Sequence, residues 1–469
     1  MLEYEEVDDQ ETYRDSLATV DKDGKRIWIY PKKPKGRFYD YRKWFSYVLL
    51  IILFGLPWIK FNGQPFILFN VLKGKFILFG IYFAPQDFHL FVIAMIIFMV
   101  FIILFTVVFG RLFCGWVCPQ TIFMEMVYRR IEYWIEGDYT AQKRLDKANW
   151  NPEKIIKKGS KHFIFFFIAV LIANTFLAYI IGIDEVLKIV SEPVSMHRSG
   201  FIAMMAFSAV FYLVFAKLRE QVCTTICPYG RLQGVLLDKN SLAVYYDWER
   251  GETRGKIRKN AANDIAKGDC IDCNLCVKVC PTGIDIRDGI QLECINCTAC
   301  MDACDEVMEK IDRPLGLVRM DSYNGIVEKK RSFFNSRVIA YTAVLLILIG
   351  LESFLFMSRG DIEVLLLRTP GMLFQKSDDG FISNLYNYQL INKKNEAYPI
   401  EFELENIDGK IEYVGQKPTT VENENTEGVI FIKILPDDLE GRKTTLTVLI
   451  KSNGKVIDKI KTNFLGPVK

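Results

Sequence analysis

The stretch Cys270-Ile-Asp-Cys273-Asn-Leu-Cys276-Val-Lys-Val-Cys280-Pro281 decides the reading of this chain, and Cys294-Ile-Asn-Cys297-Thr-Ala-Cys300-Met-Asp-Ala-Cys304 repeats it. Three closely spaced thiolates wrap three irons of one cubane, and the fourth, set beyond a turn, reaches the other cube. The spacing therefore predicts one 4Fe–4S cluster on Cys270, Cys273, Cys276 and Cys304. It predicts a second on Cys294, Cys297, Cys300 and Cys280. Pro281 stops any helix after Cys280; the second run has Asp305 at that place, which leaves the ligand count intact. Two zinc sites are the competing reading, but zinc takes paired Cys with a longer spacer between pairs. Two neighbouring clusters carry single electrons. Their potential does not follow from the ligands, since such clusters span roughly −700 to +450 mV.

Around this insert lies a chain of 469 residues with 12 Cys, all between positions 114 and 304. A secreted disulfide scaffold would scatter its pairs through a small chain, so the thiols face a reducing compartment or hold metal. A net charge of +3 excludes nucleic-acid binding by bulk charge, and three His leave little imidazole for metal chemistry. The remaining four Cys form an internal repeat. Phe113-Cys114-Gly-Trp-Val-Cys118-Pro119 recurs 109 positions later, Cys114 to Cys223 and Cys118 to Cys227, again followed by Pro (Pro228). Helical segments, Ile122–Ile135 and Leu232–Leu237, are expected after each pair. In a helix, i and i+4 share a face, so each pair is expected to point one way and the four thiols to converge near the membrane surface. Soft thiolates suit Cu(I), zinc or iron–sulfur centres. Arg111 and Arg231 flank the motifs and favour the thiolate form. Buried structural thiols are the alternative.

The fold class expected is a multidomain membrane protein: an α-helical bundle of about five spans, a ferredoxin insert and a C-terminal Ig-like β-sandwich. A spanning helix needs about 20 apolar residues. Phe88–Gly110, His162–Gly182 and Val338–Ser358 meet this, Gly200–Ala216 is shorter and uncharged, and Trp44–Ile59 is the shortest. Residues 22–43 hold nine Lys/Arg and 111–161 hold ten, against two each in 61–87 and 183–199. The positive-inside rule then places the N-terminus and the loops 111–161 and 217–337 in the cytoplasm, with the C-terminus outside. Nothing near the N-terminus reads as a signal peptide; residues 1–21, with eight acids and one Arg, read as a disordered acidic tail. The domains expected are 1–43, 44–219, 220–337 with the ferredoxin at about 260–312, 338–358 and 359–469. Segment 61–87 reads as interfacial without a settled form.

From 362 onward, seven short β-rich runs separated by turn signals such as Asp408-Gly409 and Asn453-Gly454 suggest the sandwich: Ile362–Leu367, Tyr388–Ile391, Ile400–Leu404, Ile411–Val414, Val429–Ile434, Leu446–Ile450 and Val456–Ile460. Other candidates are bland. His89, His162 and His197 sit at different depths. Met124 and Met126 lie on different helix faces and read as packing. Glu352, inside the last span, falls near its end.

The order of these parts resembles the cytochrome c oxidase accessory proteins of the CcoG/FixG (RdxA) family over almost the whole chain. Gly110-Arg111-Leu-Phe-Cys114-Gly-Trp-Val-Cys118-Pro119-Gln120 and Glu293-Cys294-Ile-Asn-Cys297 carry that resemblance. It implies a bacterial inner-membrane protein that reduces Cu(II) to Cu(I) for assembly of a C-family haem–copper oxidase. It further implies oxidase subunits or copper chaperones and transporters as partners, and copper bound at or near Cys114, Cys118, Cys223 and Cys227. An unidentified cytoplasmic donor would supply the electrons. Two alternatives stay open: a membrane quinol dehydrogenase subunit similar to the NapH type, and a non-enzymatic assembly scaffold. Oligomeric state is not legible.

Overall fold

The computed structural model describes residues 19–467, apart from 21–22, 24, 62, 72–73, 84–86, 257–267, 330–334, 361, 372, 378, 394–396, 416 and 421–424. Nearly all of the acidic tail 1–21 lies outside the described residues. The chain divides into two units. One takes Met1–Leu56, Ala94–Ala178 and Asp184–Gly350; the other takes Pro57–Ile93, Tyr179–Ile183 and Leu351–Lys469.

Among the described residues, four helices are long and apolar enough to cross a membrane: Phe88–Phe109, Pro152–Ile181, Arg198–Leu218 and Ser336–Met357. At most 28% of any of these apolar stretches is buried. So much exposed hydrocarbon suits lipid rather than water. The fifth expected span has other bounds. In place of Trp44–Ile59 there is a helix Arg37–Gly55 followed by a tight turn, Leu56–Trp58, at Pro57. Arg37, Asp40, Arg42 and Lys43 stand in its first two turns, so it is less apolar than the other four.

In the cysteine-bearing unit, the ferredoxin is built on the antiparallel pair Ala243–Tyr246 and Val318–Asp321 and on the helices Leu275–Lys278 and Ala299–Lys310. Its core joins Val244, Ile284, Ile286, Met308 and Leu317 with the cluster cysteines. The two cysteine runs share a backbone signature. Asp272 and Asn274 in one, and Asn296 and Thr298 in the other, take left-handed conformations with φ between 51° and 64°. Those twists let each run curl around a centre. Asn and Asp accept such twists; a β-branched Thr does so only where its surroundings hold it. Thr298 is buried and its hydroxyl donates to the Cys297 carbonyl at 2.7 Å. The segment preceding Arg37–Gly55 lies along the ferredoxin. The Lys32 amide donates to the Lys278 carbonyl at 2.7 Å, and Asp302 accepts from the Phe38 and Tyr39 amides at 3.1 and 2.7 Å.

The segment after Pro119 differs from its expected apolar reading. It is helical, with a wider π-turn at Phe123–Tyr128 before Arg129–Ile135. One face is apolar, with Phe123, Met124 and Tyr128 packed on Phe165, Ile172 and Phe215. The opposing surface is charged yet also buried: Glu125, Arg129, Glu132 and Glu136. Arg129 pairs with Glu125 and with Glu220 (3.3 Å), Glu132 with Arg219 and Lys161 (3.4 Å), and Glu136 with Lys158 (3.0 Å) and Lys161 (2.9 Å). Burial of so many charges is tolerable only because each is paired.

The second unit holds two parts. Segment 61–87 includes a three-stranded antiparallel sheet, Ile67–Asn70, Lys75–Leu78 and Ile81–Phe83. Its Leu68, Ile77 and Tyr82 pack against Ile391 of the sandwich. Asp87 binds Arg359 and Lys393, both at 2.7 Å. Among its described residues the sandwich shows the expected seven strands, with Ile382–Asn392 longer than its expected run and a short Gln375–Lys376 added beside it. One sheet orders Gly409–Tyr413, Asn425–Ile434, Ile382–Asn392 and Ile362–Arg368; the other orders Glu401–Leu404, Lys443–Ser452 and Lys455–Leu465. Alternate residues Ile430, Ile432 and Ile434 face Leu446, Val448 and Ile450 in one core, the period of two that a half-buried strand requires.

Candidate functional site

Two small cavities sort the ferredoxin thiols. Cys270, Cys273, Cys276 and Cys304 line one, with Tyr246, Leu317 and Met308. Cys280, Cys294, Cys297 and Cys300 line the other, with Ile284, Ile286 and Ile295, and Cys276 borders both. The exchanged fourth ligand is therefore visible: Cys280 stands in the second cage and Cys304 in the first. None of the twelve Cys is in a disulfide. Burial above all, and then mutual repulsion, pushes these thiols up: Cys276, Cys297 and Cys304 to about 12 and Cys294 to about 11. Four neighbouring buried thiolates are stable only around a cationic core. Among the described residues no three His, Cys, Asp or Glu side chains close on a single metal ion. Apolar cages lined by four thiols each, with the fourth thiol exchanged between the two runs, fit a pair of clusters.

The four membrane-edge thiols also come together. Cys114, Cys118 and Cys223 each feel Cys227, and Cys223 feels both Cys114 and Cys118. The Thr121 hydroxyl lies beside Cys118 and Cys223. Burial raises Cys114 to about 11 and Cys223 to about 12. They are neighbours in one buried cluster of thiols.

Their local geometry corrects the expected shared helix face. Cys114 lies within the helical turn Leu112–Trp116, but Cys118 is the N-cap of the next helix, with ψ 123° and Pro119 at its first position. Cys223 lies in the turn Val222–Ile226, and Cys227 caps Pro228–Leu236 with ψ 111°. Proline drives the residue before it out of the helical region, so each pair straddles a break. Both breaks are closed by the same five-residue hydrogen bond, Cys118 N to Phe113 O (2.9 Å) and Cys227 N to Val222 O (2.7 Å). At Cys118 the amides of Gln120 and Thr121 point at the sulfur, the capping geometry that favours a thiolate. The repeat extends to the backbone: Gly110 and Arg219, 109 positions apart, have φ of 58° and 52°. Arg219 holds that strained conformation with its guanidinium on Glu132 (3.0 Å for Nη1) and over Trp28 (4.7 Å).

This site touches the second cage. A Cβ at Gly115 would overlap the Ile295 carbonyl oxygen and stand 3.1 Å from that of Asn296. Only glycine lets the first Cys-x3-Cys lie against the Cys294–Cys297 loop. Cys114 shares a buried cluster with Ile295, Cys297 and Cys300. Sequence reading missed several residues here. Gln233, fully buried, accepts from the Cys114 thiol at 2.8 Å and donates to Tyr229 at 2.6 Å. Arg42, 1% exposed, donates from Nε to the Gly115 carbonyl at 2.7 Å. A glutamine within an apolar membrane-edge helix was the available signal for the first; nothing local marks the second.

The lesser candidates fall into structural places. His162 meets Tyr212 (2.9 Å), His197 meets Glu192 (2.5 Å), and His89 lies near Glu352. Met124 and Met126 are buried, Met124 in the apolar core. The Arg231 side chain lies outside the described residues.

A dicluster ferredoxin carried between apolar helices and followed by a β-sandwich defines a membrane iron–sulfur oxidoreductase. Residues 218–323 match the model of a 4Fe-4S dicluster domain, 91–138 that of a 4Fe-4S binding domain, and 353–467 that of the IG-like fold at the C-terminal of FixG. Protein RdxB of Cereibacter sphaeroides is 34% identical across 80% of this chain and 81% of its own length. Nitrogen fixation protein FixG of Rhizobium meliloti is 33% identical across 88% and 86%, and RdxA of C. sphaeroides 33% across 79% and 81%. The chain belongs to the FixG family.

Proposed function

We propose that this protein reduces Cu(II) to Cu(I) at Cys114, Cys118, Cys223 and Cys227, for copper-site assembly of a C-family haem–copper oxidase. The observation that supports it is the packing of that four-thiol site directly on the second cage through Gly115. When bound, the clusters supply single electrons, one for each Cu(II) converted to Cu(I). The eight ferredoxin cysteines hold them. The membrane-edge thiols take copper as substrate: soft sulfur binds Cu(I) better than harder ligands do, which favours the reduced product. Gln233 orients Cys114; burial raises the Cys118 thiol, and the amides of Thr121 and Gln120 offset part of that rise. Copper chaperones, transporters or oxidase subunits would take up the product.

Cys→Ser at each of the four positions is expected to abolish Cu(II) reduction, while iron content and membrane abundance stay normal. Full activity in one pair with loss in the other would sink the shared site. Loss of iron in all four would assign the thiols to a further cluster. A second reading, quinol oxidation, draws on an open cleft beside the second cage, lined by Arg111, Tyr245, Trp248, Leu292 and Tyr323. Dithionite-reduced protein separates the two: reoxidation by Cu(II) and not by quinone supports copper, and the converse supports quinol.

The proposed topology keeps the clusters in the cytoplasm and the sandwich in the periplasm of a bacterial inner membrane. The basic stretches 22–43 and 111–161 both read as inside, so the chain must cross twice between them, which supports counting Arg37–Gly55 as a fifth crossing. A reporter fused after Lys469 is expected to be active only in the periplasm. Activity in the cytoplasm would leave four crossings and remove Arg37–Gly55 from the count.

A further inference from the structure

The two cages differ in the company of their arginines. At the first, Arg287 is neutralised: it binds Asp272 (2.5 Å), Asp285 (2.5 and 2.8 Å) and Asn274 (2.5 Å). Asp305 adds a further negative charge beside Cys304. At the second, two guanidinium groups are buried without such partners. Arg42 is 1% exposed and its Nη2 has no hydrogen-bond partner. Its field reaches Cys297. Arg111 is 3% exposed, and its Nε and Nη1 have no partner. Its field reaches both Cys294 of the cage and Cys114 of the membrane-edge site. Glu293 is nearby but forms no ion pair with it among the described residues. Gly230 keeps the second Cys-x3-Cys segment against the same guanidinium: a Cβ there would stand 3.0 Å from Arg111 Nη2.

A buried cation without a carboxylate is costly. Here the compensating anions are the thiolate-bound centres on either side. Adding an electron makes such a centre more negative, and a neighbouring positive charge in a medium of low dielectric favours that state. We propose that Arg42 and Arg111 are positioning residues that raise the reduction potential of the Cys280/Cys294/Cys297/Cys300 cage above that of the Cys270/Cys273/Cys276/Cys304 cage, so that electrons run toward the membrane-edge thiols. Exposure of Cys273 to solvent acts the other way, but one wet sulfur edge is outweighed by two desolvated positive charges. That same exposure makes the first cage the edge where a soluble donor delivers its electron. Arg111 then stands between the centre that is oxidised and the site whose Cu(II) is reduced, and its charge stabilises the electron on either side.

The proposal rests on the two-cluster reading and is independent of copper. Its test is an EPR-monitored redox titration of the iron-loaded full chain without copper, with C280S and C304S assigning each signal to its cage. R42Q and R111Q are each expected to lower the higher midpoint and leave the lower one in place. R111K, which keeps the charge, is expected to hold the higher midpoint near the wild-type value. R287Q is expected to move the lower midpoint alone. Unchanged midpoints in R42Q and R111Q, an equal shift of both, or a higher midpoint assigned to the first cage would overturn it. If R111Q and R42Q lose iron while R111K keeps it with an unshifted midpoint, the charge requirement stands. If R111K also loses iron, the arginines serve the fold and the proposal fails.

Discussion

Replacing Cys304 by serine is expected to empty the cage of Cys270, Cys273 and Cys276, far away in sequence, and to leave the cage of its own run loaded. Iron should fall from about eight to about four per chain, as one lost cubane demands. Cys280→Ser should do the reverse. The cavity linings carry this expectation: each fourth thiol stands among the three of the other run. Iron and acid-labile sulfide on anaerobically purified variants, with EPR of the surviving cluster, read the result. Loss of the cluster nearest in sequence would refute the exchange, and a zinc reading with no sulfide would refute the clusters.

Arg129→Leu is expected to lower stability by about 3–5 kcal/mol, the cost of breaking a buried charge pair from one side. Arg129 lies between Glu125 and Glu220, and its Nη2 also donates to the Pro281 carbonyl at 3.1 Å. Its loss strands two buried carboxylates and unfastens the loop that follows Cys280. Thermal unfolding in detergent, followed by the iron–sulfur absorbance, measures it. Glu125→Gln made together with Arg129→Leu should recover part of the loss, because one stranded charge is removed. A single Arg129→Leu with wild-type stability would mean that solvent reaches this ladder.

The cysteine spacing made both cages legible before any coordinates, because thiolate count and turn length are local properties of the chain. The sandwich was legible for the same reason: a period of two and turn residues are written along each strand. The membrane-edge pairs were legible in place but not in form. Residues i and i+4 share a face only in an unbroken helix, and Pro119 and Pro228 drive the preceding cysteine out of it. The charged ladder hid behind apolar spacing. Glu125, Arg129, Glu132 and Glu136 look like a solvated face until Lys158, Lys161, Arg219 and Glu220 arrive from elsewhere in the chain. Arg42 was least legible of all, since a basic residue near a span ordinarily marks an aqueous flank, and here it turns inward to Gly115.

The exchanged ligands also dictate an order of manufacture. While the ribosome is still reading the segment between Cys280 and Cys304, the first three thiols have emerged without their fourth. The first cage stays open through that whole interval, whereas the second has its four thiols once Cys300 is made, and an iron–sulfur core delivered early to the first would keep an open corner. Completion of the first cage therefore waits for the helix Ala299–Lys310, which brings Cys304. The helix Ser336–Met357 comes later still. A chain ending between Cys300 and Cys304 should load only the cage of Cys280, Cys294, Cys297 and Cys300, and one ending after Lys310 supplies all eight ligands.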